Sequence, residues 1–338
     1  MVASTDPEES ILRKKAERVG RPALLVLLVA AIVLLIGALL LSVQGSRILH
    51  AALDGRRERE RETQVTSFSL REQMVLEQTG ARVRGWQSVV ASEMVTAVAG
   101  RGRLSAELFS PIGGGDDAPW ALVLHGGLGT DHSQVLDVAC ALSLQGCRVL
   151  APDLYAHGKS DGETASLGLR DAEDVLTWIE WILLEDMDAR IVCFGQDEGA
   201  VALLLAAAWG LPQSVATVAA DSAYVSVQAR AHELVAQADS SWLGRHLLDP
   251  AYRLTHGVSI AEGNVADRIA EADVPLLLIH GTGDTQVLAW QSEDIAQAAR
   301  ENAQLLLVEG AEHGMARYLE PDVYYDALLG FFEHALRP

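Results

Sequence analysis

Five short apolar runs, WALVLHGG, CRVLAPD, RIVCFG, VATVAAD and PLLLIHG, each stop at a glycine or an aspartate, and helical stretches separate them. Two stretches ahead of them, SVVASEMVTAV and RLSAELFSP, read as opening strands, and AQLLLVEG supplies a closing one. The intervening segments have helical period: one lies around Val135–Leu144, and Asp171–Leu184 brings Ala172, Val175, Leu176, Ile179, Ile182 and Leu183 onto one face. Strands that are apolar throughout, and alternate with helices, have to be covered on both sides. The pattern predicts an α/β fold, a mostly parallel sheet with helices on both faces. Ligands of such sheets sit beyond the carboxyl ends of the strands, so the residues following each run are the functional candidates.

A second feature is of another kind. Residues 23–43, ALLVLLVAAIVLLIGALLLSV, carry no charge. Twenty-one residues at about 1.5 Å each reach across a hydrocarbon core of about 30 Å. The run is longer than the apolar part of a secretion signal, and SVQGS after it is a poor cleavage site. An uncleaved single-pass transmembrane helix is expected. Arg13, Lys14, Lys15, Arg18 and Arg21 crowd its N-terminal side, which favours a cytoplasmic N-terminus and an extracytoplasmic globular part. The expected organisation is an N-terminal tail at 1–22, the span at 23–43, a juxtamembrane linker at 44–85 containing the alternating run RRERERE, and one domain at 86–338 with a small insert at about 222–268.

Charge is divided unevenly. Residues 1–85 carry 13 Lys and Arg against 10 Asp and Glu, whereas the remainder carries 13 against 36. So acidic a domain repels nucleic acid, and a small-molecule substrate is the expected partner. Cys140, Cys147 and Cys193 have neither the number nor the spacing of a disulfide framework or a zinc site. With no metal cluster, P-loop or dinucleotide fingerprint in the sequence, no cofactor is expected.

The strand ends carry, in order, HGGLGT from His125, DLYAHGKSDG from Asp153, GQDEG from Gly195, Asp221, HGTGDTQV with Asp284, and GAEHGMA with His313. The order nucleophile, acid, histidine is that of α/β-hydrolases. On LVLHGG, the Asp153–Gly162 stretch, GQDEGA, LLIHGTGDTQV and AEHGM, residues 86–338 and the preceding span resemble the membrane-anchored bacterial α/β-hydrolases, a serine-esterase-like family. The resemblance implies an α/β-hydrolase fold, an oxyanion hole from the backbone N–H groups of Gly127 and Glu198, an acid at Asp284 and a general base at His313. It also implies that His125 and His157 fix loop geometry. Asp221 is a backup for the acid.

The family's nucleophile position falls on Asp197, where this chain departs from serine. Aspartate tolerates the positive φ of such a turn, and the mouth of a helix favours its negative charge. A carboxylate is a nucleophile suited to an sp3 carbon with a leaving group, an epoxide or an alkyl halide, and poorly suited to a carboxylic ester. GQDEGA also resembles the turn of epoxide hydrolases and haloalkane dehalogenases, although Glu198 stands where those enzymes usually carry Trp, and the insert is small for their cap. Tyr224, Trp242 and Tyr252 are the insert's candidate donors. Aspartate is equally a favoured helix N-cap, so an inactive binding or scaffold protein on the same fold is the competing reading.

Overall fold

The computed structural model describes residues 7–55, 70–113, 115, 117–238 and 241–337. The first six residues of the expected tail and the charged run at 56–62 lie outside them. In chain order the elements are α1 (Pro7–Ala52), α2 (Leu70–Gln87), β1 (Ser92–Ala99), β2 (Gly102–Phe109), β3 (Trp120–Leu124), α3 (Leu136–Leu144), β4 (Arg148–Asp153), α4 (Asp171–Glu185), β5 (Ile191–Gln196), α5 (Glu198–Trp209), β6 (Val215–Asp221), α6 (Val227–Ala238), α7 (Trp242–His256), β7 (Leu276–Gly281), α8 (Trp290–Ala299), β8 (Ala303–Val308), α9 (Ala316–Leu319) and α10 (Pro321–Leu336).

The eight strands form one sheet in the order β1-β2-β4-β3-β5-β6-β7-β8. β1 runs antiparallel to β2 and β2 antiparallel to β4, and every other neighbouring pair is parallel. The apolar runs became strands for the reason their pattern predicts. Side chains alternate across β3: Trp120, Leu122 and Leu124 enter the core shared with α4 and α5, while Ala121 and Val123 enter the one shared with α3 and α10. α5 is apolar all round, and every residue from Glu198 to Ala208 is buried, because it is enclosed between the sheet and other helices.

α1 runs unbroken for 46 residues. Within its stretch Leu25–Ala52 an 18-residue window has a mean hydropathy of 3.1, and the stretch is long and apolar enough to cross a membrane. The helix does not end where its apolar run ends. Ile48, Leu49, Ala52 and Leu53 are buried in the domain's main core, where α1 packs on α6 and α7. Those two helices form the insert between β6 and β7. α2 reaches the opposite core through Trp86, which packs on Phe109 and donates its indole N–H to Ser143 Oγ at 3.1 Å.

Candidate active site

The parallel strands β5 and β7 end side by side with β6, and the loops after β5, β7 and β8 meet at one point. The turn after β5 is tight because glycines flank it: a Cβ on Gly195 would stand 2.5 Å from the backbone of Gly199. Asp197, between them, takes φ 49° and ψ −111°, the positive φ expected of this turn. It begins α5 but makes no side-chain capping bond. Its carboxylate turns elsewhere. Oδ2 lies 3.5 Å from His313 Nε2, and Oδ1, buried, has no hydrogen-bond partner among the described residues.

His313 bridges the site. Its Nδ1 donates to Asp284 Oδ2 at 2.7 Å. Asp284 is fixed in turn: Oδ1 accepts the backbone N–H groups of Gln286 and Val287, and His280 Nε2 stands 3.3 Å from Oδ2. Asp197, His313 and Asp284 are thus brought together as the sequence predicts. Asp221 is not with them. Its Oδ2 accepts the hydroxyl of Tyr324 at 2.8 Å and its Oδ1 that of Ser222 at 2.8 Å. It ends β6 on the wall behind the turn, and Asp284, not Asp221, is the carboxylate bonded to His313.

The electrostatics follow from this geometry. Burial disfavours a charged imidazole, but hydrogen bonds to Asp197 and Asp284 and the charges of both outweigh it, and His313 is raised to about 10. Burial likewise opposes ionisation of Asp197, yet His313 and the charge of Arg230 hold it below the usual carboxylate range. Burial also works against Asp284, and hydrogen bonds from His280 and His313 keep it far below that range. The resting site is therefore carboxylate, imidazolium, carboxylate.

The glycine loop after β3 faces the turn. Gly127, at φ 83°, presents its Cα side to Asp197, so that an added Cβ would lie 3.7 Å from Oδ2. Gly126 N–H donates to Gln134 Oε1 at 2.9 Å. Gly127 and the first residue of α5, Glu198, flank the carboxylate where the resemblance puts the oxyanion donors. The Glu198 side chain is buried, 3.7 Å from His157 Nε2. His125 and His157 act on loops: His125 Nε2 accepts the N–H of Leu154, and His157 Nδ1 meets Tyr155 O.

The insert's aromatics are occupied or remote. Tyr224 and Tyr252 donate to the carbonyls of Leu167 and Ser166, both at 2.8 Å, while Trp242 is exposed and stacks on His246. Two cations escaped sequence reasoning. Arg230 of α6 is kept charged chiefly against its own burial by Asp197, Tyr224 and Glu198. Arg317 of α9 is buried, donating to Asp137 Oδ2 at 2.7 Å, Gln196 Oε1 at 3.0 Å and Gln134 O at 3.1 Å. It ties the histidine loop to the residue before Asp197. Its only sequence signal is its place four residues after His313.

The three cysteines are free and buried.

Residues 119–251 match the family described as alpha/beta hydrolase fold. The chain is 29% identical over 188 residues to the uncharacterised protein YfhR of Escherichia coli O157:H7, a match covering 55% of this chain and 60% of that protein. It is 31% identical over 226 residues to the uncharacterised protein Rv2307c of Mycobacterium tuberculosis H37Rv, covering 66% of this chain and 73% of the relative. The Pyrococcus furiosus esterase Pf2001 superposes with a TM-score of 0.57 at 20% identity, over 74% of this chain and 93% of its own. The hypothetical protein PA2218 of Pseudomonas aeruginosa does so with a TM-score of 0.56 at 23% identity, over 73% and 94%.

Proposed function

The chain belongs to the α/β-hydrolase family, and from that premise we propose that it is a membrane-anchored, cofactor-free hydrolase whose nucleophile is the carboxylate of Asp197. One observation carries the reading: at the head of α5 the Asp197 side chain makes no capping bond, gives Oδ2 to His313 and leaves Oδ1 without a hydrogen-bond partner among the described residues. A residue retained for helix capping would turn toward the first N–H groups of the helix.

The charge state narrows the chemistry. Attack by neutral serine needs a neutral histidine base, and a His313 raised to about 10 is protonated. A carboxylate needs no base to attack. With an epoxide, Asp197 Oδ1 forms a bond to one ring carbon, the carbon–oxygen bond of the ring breaks, and the leaving oxygen takes the proton of His313. His313, now neutral, removes a proton from water as the hydroxide adds to Cγ of the Asp197 ester. The backbone N–H groups of Gly127 and Glu198 stabilise the oxyanion. Collapse expels the diol oxygen, which takes that proton back, and the carboxylic acid left on Asp197 returns its own proton to His313. Epoxide and water give a diol, and the resting ion triad is restored. A halide leaving group takes no proton and meets the carboxylate of Glu198, so an epoxide is the better fit.

The exposed apolar face of α1 between Leu25 and Val43 and the basic residues ahead of it support a single-pass anchor with the domain outside the cytoplasm. The test is a panel of epoxides, haloalkanes and p-nitrophenyl esters on the whole chain beside Asp197→Asn. Epoxide turnover lost by at least about a thousandfold in the variant supports the reading, and turnover unchanged by it refutes it. A second reading, a non-catalytic binding protein at the membrane, draws on closure of the site: Asp197 is 4% exposed, and the crevice between α1 and α7 and the surface cleft beside Arg268 both lie away from it. No turnover of any substrate class favours that one.

A further inference from the structure

The glycine loop after β3 is the part of the site least able to hold itself. Gly127 and Gly129 both have positive φ, 83° and 75°, and a backbone with a glycine on either side of Leu128 is costly to order. The first half of the loop is held from within. Thr130 Oγ1 lies 2.7 Å from the carbonyls of both Gly126 and Gly127, which share its proton, and Gln134 accepts the N–H of Gly126. The outer half is held by the end of α1: Gly129 N–H donates to Gly55 O at 3.2 Å. Gly55 is itself fixed. Leu53 N–H makes the last helical bond, to Leu49 O, and Leu53 O accepts the N–H of Ala165, both at 2.8 Å. Asp54 pairs with Thr164 as an antiparallel bridge, and His50 Nδ1 lies 3.0 Å from Thr164 Oγ1. Behind Gly55 there is no room: a Cβ there would stand 2.6 Å from Ala156 O and 3.1 Å from His157 Cε1.

We infer that Gly55 is a positioning residue for the oxyanion hole, and that residues 48–55 form a strut that sets the glycine loop against Asp197. The loop has little play between its two supports. On one side Gly126 meets the turn so closely that a Cβ on it would stand 2.6 Å from the Cβ of Asp197. On the other, Gly129 is bonded to Gly55. Gly127 lies between them in sequence, so its N–H keeps its direction only while both supports are in place. The use of that N–H as an oxyanion donor rests on the reaction proposed above, whereas the hold of Gly55 on the loop does not. In that reaction Gly127 acts when water attacks the Asp197 ester and not when the epoxide ring opens. A loosened loop therefore slows hydrolysis of the ester alone, and the alkyl-enzyme accumulates.

The test compares the full chain, in detergent micelles, with Gly55→Ala and Gly45→Ala. Gly45 is also tightly packed, a Cβ there standing 3.2 Å from Leu247, but against α7 and not the loop, so it controls for crowding of α1 in general. Amide exchange with deuterium is read residue by residue through mass spectrometry. In the wild type the Gly129 amide should exchange at least about a hundredfold more slowly than a free amide. Gly55→Ala should speed it at least about tenfold, and Gly45→Ala by no more than about twofold. Unchanged exchange in Gly55→Ala, or equal acceleration in both variants, overturns the inference. So does a wild-type Gly129 amide that exchanges like a free one, even where Gly55→Ala fails to fold. On an epoxide that the wild type turns over, Gly55→Ala should lower kcat and KM together by at least about tenfold at little-changed kcat/KM, while the peptide carrying Asp197 gains the mass of the epoxide. A fall in kcat without that adduct overturns the positioning role. Absence of turnover in every chain, with exchange as expected, would remove the proposed chemistry and leave the strut standing; turnover with a Gly129 amide indifferent to Gly55→Ala would do the reverse.

Discussion

His313 Nε2 approaches Asp197 Oδ2 to 3.5 Å while its Nδ1 is bonded to Asp284, so one imidazole lies between two carboxylates. A serine in place of Asp197 would remove one of the two charges that hold its proton.

Asp197→Ser is therefore expected to do more than delete a nucleophile. With Asp284 alone beside it, the imidazole titrates lower and can act as a base, while Gly127 and the N-terminus of α5 stay in place. Hydrolysis of p-nitrophenyl esters, which the wild-type carboxylate is expected not to support, should emerge in the variant, read as a burst of nitrophenolate at 400 nm. Absence of ester hydrolysis in a folded variant would mean that the donors around the turn are not set for a tetrahedral intermediate.

The same proton sets a pH dependence of stability. Histidine titrates near 6.5 in an unfolded chain and at about 10 here, so its raised value stabilises the fold fully below about 6.5 and loses that contribution as pH rises through about 10. The melting temperature of the wild type should fall between pH 7 and pH 10 by several degrees, at about 2–4 °C per kcal/mol for a domain of this size. His313→Gln should show a flatter profile over the same range by calorimetry.

Two aspartates with similar sequence credentials should separate in kinetics and stability. Asp284→Asn removes the charge that orients His313, and turnover should fall about a hundredfold or more. Asp221→Asn touches Tyr324 and Ser222 instead. It should cost about 1–3 kcal/mol in urea unfolding with kcat within a few-fold of wild type.

Arg317→Met should be the most destabilising of these changes. It leaves the buried carboxylate of Asp137, and that of Asp221 at 3.7 Å from the guanidinium, without a cation. Loss of one partner of a buried pair costs about 3–5 kcal/mol, measurable as a lowered urea midpoint at unchanged slope.

What was legible in the sequence is what local pattern encodes. Apolar runs ending in glycine or aspartate gave the strands and their order of use, and β3 alternates between two cores as such a run must. Gly195 and Gly199 marked the turn because its backbone closes on itself. The two roles open to Asp197 could not be separated by residue type, since aspartate suits a cap and a positive φ alike; the direction of its side chain, toward His313, supports the proposed one. Arg230 and Arg317 were not legible because their partners come from α5, β5 and α3, distant in the chain. The docking of Ile48 and Leu49 was hidden for another reason: Gln44, Gly45, Ser46 and Arg47 part them from the apolar run, and a pair of apolar residues in a charged segment reads as linker.

The unbroken course of α1 from Pro7 to Ala52, clasped by α7, leaves no swivel between its apolar stretch and the domain. Under the proposed anchoring the domain would therefore keep one fixed attitude to the bilayer instead of tumbling on a tether.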